Sequence, residues 1–137
     1  TLVWLEEELQ FLQSYQHLLQ ARFGSGLQIN VDVAVEMKTK WLPPLTLQTI
    51  LENAFAQNTI SKTTPLVVSV TTATGELIVT NNIQLKTITD SGDVEEGLDN
   101  LLSKYNLLTK KGAAIEDSIT QRIIRLPLLN EQKEVIV

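Results

Sequence analysis

The sequence predicts a two-layer α/β sandwich: a mixed, mostly antiparallel sheet covered on one face by helices and preceded by one long helix. Three observations predict it. Apolar residues recur at three- and four-residue spacing in three separate stretches, strict alternation marks other stretches as strands, and the order of the two kinds interleaves helices with paired strands. Short turns between some strands call for antiparallel hairpins, whereas helices between others allow parallel neighbours.

Residues 2 to 23 read as one helix. Leu2, Leu5, Leu9, Leu12, Leu19 and Phe23 form a stripe interrupted by Gln16, and Trp4, Phe11, Tyr15 and Leu18 form a second stripe beside it. Two stripes predict two neighbours, the body of the domain and a partner helix, unless both pack within the one chain. "GSG" at 24–26 ends the helix, with Gly24 suited to the left-handed position past its last turn. "LQINVDV" then alternates, with Leu27, Ile29, Val31 and Val33 on one face, as a half-buried strand does.

Pro43 and Pro44 suit the entry to a second helix, whose first turn needs no backbone donor. From Leu45 the pattern is helical, with Leu47, Ile50, Leu51 and Ala54 on one side. At about 100° per residue, Thr49, Glu52, Asn53 and Ala56 lie roughly opposite, so Glu52 and Asn53 are expected to point away from the main apolar stripe. "LVVSVTT" and "ELIVT", joined by "ATG", predict a strand pair turning at Gly75. Ile83 to Glu96 is polar and irregular, with "DSGD" as turn chemistry, and reads as a mobile loop. "EEGLDNLLSKYNLL" restarts a helix, with Leu98, Leu101, Leu102 and Tyr105 spaced for burial and Lys110, Lys111 and Gly112 ending it. "AAIEDSI" and "QRIIRLPLL" read as two further strands, with Pro127 at the margin of the sheet.

With 137 residues, 43% of them hydrophobic, the chain fits one globular domain. A net charge of -5 with scattered lysines and arginines argues against a nucleic-acid surface. The lack of cysteine excludes disulfides, thiolate metal sites and cysteine nucleophiles. No apolar run approaches the about 18 residues that a membrane span needs, and "TLVWLEEELQ" lacks the basic region of a leader peptide. The chain therefore reads as soluble, and its start in mid-helix as that of a fragment.

"LPPLTLQTILENAFAQN", residues 42–58, resembles the N box of LytS-type sensor histidine kinases, P-P-x-x-L-Q-x-L-x-E-N-A-x-x-H. The resemblance continues on both sides. "LEEELQFLQSYQHLLQARFGSGLQINVDV" is similar to the family's helix and first strand, "LIVTNNIQLK" to the strand that ends in D-N-G-x-G, and "EGLDNLLSKYNLL" to the helix that opens with G-x-G-L-x-N. It covers roughly residues 2 to 129. It implies the Bergerat fold of GHKL-type ATPases, with residues 1–23 as a linker helix of the dimer-forming kind and 24–137 as an ATP-binding catalytic domain.

The same resemblance implies ATP and Mg2+ as cofactors. Asn53 would coordinate the metal that bridges the phosphates, an assignment compatible with magnesium's preference for hard oxygen ligands. Glu52 would act as the base or hold the attacking group. Gln57, Asn81, Asn82, Gly97, Leu98, Asn100 and Lys104 would line the nucleotide site. Several positions depart from the family pattern. Gln57 stands for the N-box His and cannot titrate near neutrality, and Asn81 stands for the adenine-reading Asp. Ile83 and Leu85 replace glycines, and Glu95 replaces the first glycine of the later motif, where a carboxylate would compete with a phosphate at a helix N-terminus. Lys104 stands where relatives tend to carry Arg and offers a point charge in place of a fork.

Taken alone, the Glu52–Asn53 pair reads as a solvated helix face, Asn81 and Asn82 as strand-end turn residues, and Glu95 and Glu96 as first-turn acids that stabilise a helix. His17, the only histidine, lies on the leading helix, whereas the family's phosphate acceptor sits further upstream. The expected function is the cytoplasmic ATP-binding domain of a kinase anchored in the inner membrane, likewise implied by the resemblance. Its partners would be an acceptor-histidine segment of the parent chain, a response regulator and a second copy of itself. Two rival readings are a non-catalytic interaction module of the same fold and a nucleotide-dependent protein without kinase chemistry.

Overall fold

The computed structural model describes residues 1–86 and 92–131, with side chains of the last helix from Glu96 onward. The elements are β1 (Val3–Trp4), α1 (Leu5–Phe23), β2 (Leu27–Asp32), β3 (Trp41–Leu42), α2 (Thr46–Gln57), β4 (Leu66–Ala73), β5 (Glu76–Asn82), α3 (Gly92–Leu108), β6 (Ala114–Asp117) and β7 (Gln121–Pro127). Five strands form one sheet in the order β2-β4-β5-β7-β6. Only β2 and β4 run parallel; the other neighbours are antiparallel. This is the mixed, mostly antiparallel sheet that the sequence predicts, with the β4–β5 hairpin turning at Gly75 (φ 75°).

One face of the sheet carries the core. Val68 and Val70 of β4, Leu77 and Val79 of β5, and Ile124 and Leu126 of β7 are buried against Leu5, Leu12 and Leu19 of α1, Leu47, Ile50 and Leu51 of α2, and Leu98, Leu101 and Tyr105 of α3. Alternation along β4 and β5 gives each strand an apolar side toward the helices. The inward face of β2, an edge strand, fades along its length: Leu27 is buried, Ile29 half-buried and Val31 44% exposed, while Val33 just beyond packs against the core.

Several details differ from the sequence expectations. The first helix starts at Leu5, because Val3–Trp4 pairs antiparallel with Trp41–Leu42 and the Trp4 and Trp41 rings meet at 5.6 Å between centroids. Leu2 leaves the helical stripe and packs with Leu108 and Leu129. Of the two stripes on α1, the first enters the core, whereas Phe11 and Leu18 of the second are 42% and 69% exposed. Pro43 and Pro44 precede α2, which starts at Thr46 after Leu45 in left-handed backbone (φ 63°). The third helix starts at Gly92, earlier than Glu95. Residues 87–91 of the expected mobile loop, and the Glu95 side chain, lie outside the described residues.

The largest difference concerns Asn53. Glu52 is exposed as expected, but Asn53 is buried, because α3 covers that side of α2. Gly97 marks the approach: a Cβ there would lie 3.9 Å from Thr49 Cγ2.

After α3 the chain reverses at Gly112 (φ 66°), where a Cβ would run into Asn106 Oδ1. Both the positive φ and the contact oppose any side chain, although Asn106 can swing aside. Gly112→Ala is expected to destabilise the fold by about 1–2 kcal/mol, read as a lower urea midpoint at unchanged slope.

Candidate functional site

A cavity of about 430 Å³ opens beside the C-terminal half of α2. Its walls are Asn53, Ala54 and Gln57 of α2 with Asn58 just beyond, Asn81 of β5 followed by Ile83 and Leu85, and Asp117, Ser118, Ile119 and Arg122 of the β6–β7 hairpin. Local hydrogen bonding sets each wall. Asn58 donates from Nδ2 to the Ala54 carbonyl at 2.9 Å and accepts from the Gln84 amide at 2.7 Å, so the end of α2 is tied to the segment after β5. The β6–β7 turn is closed by Ser118, whose Oγ accepts from the amides of Thr120 (3.2 Å) and Gln121 (3.0 Å). That turn sets Asp117 directly across from Arg122.

Arg122 is the electrostatic centre of the site. Its Nε donates to Asp117 Oδ1 at 2.8 Å and its Nη2 to Asp117 Oδ2 at 3.0 Å, the bidentate fork that guanidinium and carboxylate favour. Its Nη1 donates to Asn53 Oδ1 at 3.2 Å. The hydrogen bond from Arg122 holds the Asp117 carboxyl below its ordinary range. A second cavity, of about 270 Å³, shares Asn53, Gln57 and Arg122 with the first and adds Leu98, Asp99 and Ile115.

The residues singled out from the sequence separate into groups. Asn53, Gln57 and Asn81 wall the first cavity, and Leu98 joins Asn53 and Gln57 in the second. Asn81 is buried, with Nδ2 donating to the Asn82 carbonyl at 2.9 Å. Asn82 instead ties two strands together: Oδ1 accepts from the Val67 amide at 2.7 Å and Nδ2 donates to the Pro65 carbonyl at 3.1 Å. Glu52 is exposed and accepts from Gln48 at 3.0 Å, one helical turn back. Gly97 lies at the α2–α3 contact, while Asn100 and Lys104 sit on the exposed side of α3. None of Glu52, Gly97, Asn100 and Lys104 lines the two cavities. Ile83 and Leu85, at the glycine positions of the family motif, combine with Ile119 into an apolar wall.

Sequence reasoning missed Arg122, Asp117 and Asn58. A signal for Arg122 existed: in "QRIIRLP" it has the same parity as the buried Ile124 and Leu126, which places a cation on the helix-facing side of a strand.

The donor set does not fit a magnesium ion in this arrangement. Magnesium requires hard oxygen ligands in near-octahedral geometry. The Asn53 oxygen already accepts from the Arg122 guanidinium, and both Asp117 oxygens are engaged by the same group. Among the described residues there is also no group of three or more His, Cys, Asp or Glu side chains that could hold a metal.

No family model matches the chain. The sensor protein LytS of Oceanobacillus iheyensis is 30% identical over 134 residues, which cover 92% of this chain and 21% of that protein. The sensor histidine kinase BtsS of Escherichia coli K12 is 39% identical over 57 residues, 42% of this chain and 10% of BtsS. This chain is a homologue of the LytS and BtsS sensor histidine kinases. It spans only 10% to 21% of the length of those two relatives.

Solved structures extend the likeness to the fold. The catalytic domain of the histidine kinase ThkA, in a nucleotide-free form, matches with a TM-score of 0.56 at 9% identity, covering 96% of this chain and 98% of that one. The histidine kinase AdeS of Acinetobacter baumannii matches with a TM-score of 0.55 at 11% identity, covering 95% and 68%. The LytS and BtsS homologue therefore has the fold of histidine kinase catalytic domains. Among its described residues no helix is long and apolar enough to cross a membrane.

Proposed function

We propose that this chain is the nucleotide-binding catalytic domain of a sensor histidine kinase, which holds ATP in the cavity between α2 and the ends of β5 and β7. The observation that carries this reading is that three residues assigned to the nucleotide by resemblance, Asn53, Gln57 and Asn81, wall one cavity of about 430 Å³. That volume falls within the about 300–1,000 Å³ range of small-molecule sites. With its Nδ2 donating to Asn82, Asn81 offers Oδ1 to an adenine amino group, and Ile83, Leu85 and Ile119 give the base an apolar wall. Arg122, the register partner of Asn81 across β5 and β7, reaches past it to Asn53 and supplies the cation that would meet the phosphates.

In the transfer step, a histidine nitrogen from outside this chain attacks the γ-phosphorus, the bond to the β-phosphate oxygen breaks, and ADP leaves. The domain's contribution is positioning and charge stabilisation. Glu52, exposed on α2 next to Asn53 in sequence but outside the cavity lining, would hold or deprotonate the incoming histidine. Under this reading the domain works on the cytoplasmic side of a parent protein anchored in the inner membrane. Its partners are the acceptor-histidine segment, a response regulator that takes the phosphoryl group afterwards, and a second copy that meets the exposed stripe of α1.

ATP with magnesium is expected to raise the melting temperature of the chain, since a ligand at about a hundred times its Kd stabilises by about 2.7 kcal/mol. Asn53→Ala, which removes one of the three anchors of Arg122, is expected to reduce that rise while leaving the far-UV spectrum unchanged. One observation favours the second reading, a non-catalytic interaction module of the same fold: the Asn53 oxygen is already occupied by Arg122. A saturating nucleotide that leaves the melting temperature unmoved would rule out the nucleotide site and support the module.

A further inference from the structure

We infer that the Arg122 guanidinium takes the place of a divalent cation at this site, so that a phosphate-bearing nucleotide binds here without metal. The inference rests on the nucleotide reading above and specifies how the site meets the phosphates.

Arg122 is a built feature of the site. It leaves the helix-facing side of β7, lines both cavities, and is anchored at three points: two on Asp117, at 2.8 and 3.0 Å, and one on Asn53, at 3.2 Å. A guanidinium carries five N–H donors. These bonds use Nε–H and one hydrogen on each terminal nitrogen, which leaves one further hydrogen on Nη1 and one on Nη2. Each can donate to a phosphate oxygen.

Asp117 fixes the fork in place before any ligand arrives, so little side-chain entropy is lost on binding. The anchoring also explains the disagreement with a metal. The amide oxygen at residue 53 cannot serve a guanidinium and a cation at once, and the cation already present is covalently part of the chain. Arg122 is thus a binding residue, and Asp117 a positioning residue that acts through it.

Calorimetric titration of the 137-residue chain with ADP and with a non-hydrolysable ATP analogue, each in EDTA and in excess magnesium, tests the inference. Binding in EDTA is expected to match binding in magnesium to within about threefold, a difference of less than 1 kcal/mol. Arg122→Gln is expected to weaken binding in EDTA by about tenfold or more, the loss of charge-assisted hydrogen bonds, while adenosine binding is unchanged. Magnesium should restore part of the affinity of Arg122→Gln, because the Asn53 oxygen is then released. Arg122→Lys keeps the charge without the fork and guards against a fold-wide effect; its affinity in EDTA is expected between the other two. Nucleotide binding by the unmodified chain only when magnesium is present would overturn this inference and leave the nucleotide site standing. No binding under either condition would overturn both.

Discussion

Glu8→Ala is expected to cost about 3 kcal/mol of stability, the loss of a buried cap together with the stranding of its donors. For a chain of this size that corresponds to a melting temperature lower by about 10 °C. Glu8 belongs to α1 yet caps α2. Its side chain is buried, with Oε2 accepting from the Leu45 amide at 3.2 Å and Oε1 from the Leu47 amide at 3.1 Å. Leu45, at the N-cap position of α2, has no side-chain capping bond of its own. A carboxylate arriving from another helix supplies the missing acceptors and favours the positive end of the α2 dipole. It also holds Leu45 in its left-handed conformation, which costs a non-glycine residue about 1–2 kcal/mol.

The same carboxylate gives a pH signature. Burial raises the Glu8 pKa, and the amides of Leu47, Leu45 and Thr46 pull it part of the way back. A raised value means that the folded chain holds this proton more tightly than the unfolded chain does. The contribution is therefore full below the ordinary glutamate pKa and is lost as pH rises through the raised folded value. Referenced to Glu8→Gln, which cannot titrate there, the melting temperature of the unmodified chain is expected to climb as pH falls from about 7 toward about 4.5. A flat difference across that range would show that burial does not govern this group.

Tyr105→Ala is expected to cost about 3–5 kcal/mol, as large-to-small changes at fully buried rings do. Tyr105 has no exposed surface and belongs to the core cluster that α2 and α3 share with the sheet. Its hydroxyl lies 3.3 Å from Thr46 Oγ1, which itself donates to the Pro43 carbonyl at 2.6 Å. With the threonine hydrogen committed, the tyrosine hydroxyl is the donor, and burial pushes its phenol well above the ordinary value. Tyr105→Phe should therefore lose only about 1 kcal/mol, the worth of one neutral hydrogen bond. Urea unfolding of the two variants separates the ring from its hydroxyl.

Tyr105 and Glu8 also mark how far the sequence could be read. The helical spacing around Tyr105 announced its burial, as the alternation in "LVVSVTT" and "ELIVT" announced the hairpin, because both signals are local and repeat along the chain. Nothing local marks Glu8. It sits among three consecutive glutamates, Glu6, Glu7 and Glu8, that look alike in sequence, and only the arrival of α2 beside α1 selects one of them for burial. For the same reason helical geometry alone placed Asn53 opposite the main stripe without showing that α3 packs on that opposite side, so its burial was legible only through the resemblance. At the site, the N-box resemblance brought Asn53 and Gln57 to notice and the D-N-G-x-G resemblance brought Asn81, and all three line one cavity. Arg122 and Asp117 reach them through hairpin register, which emerges only when β6 and β7 pair.

The clasp between β1 and β3 determines what the chain reveals optically. Its two tryptophans, Trp4 and Trp41, are the only ones in the sequence, and they face each other there. Indole emission and near-ultraviolet dichroism therefore report on the fastening of the amino-terminal segment to residue 41. The lining of the candidate site holds no indole, so a nucleotide could enter without changing the intrinsic fluorescence, whereas loosening of α1 at its start would register at once.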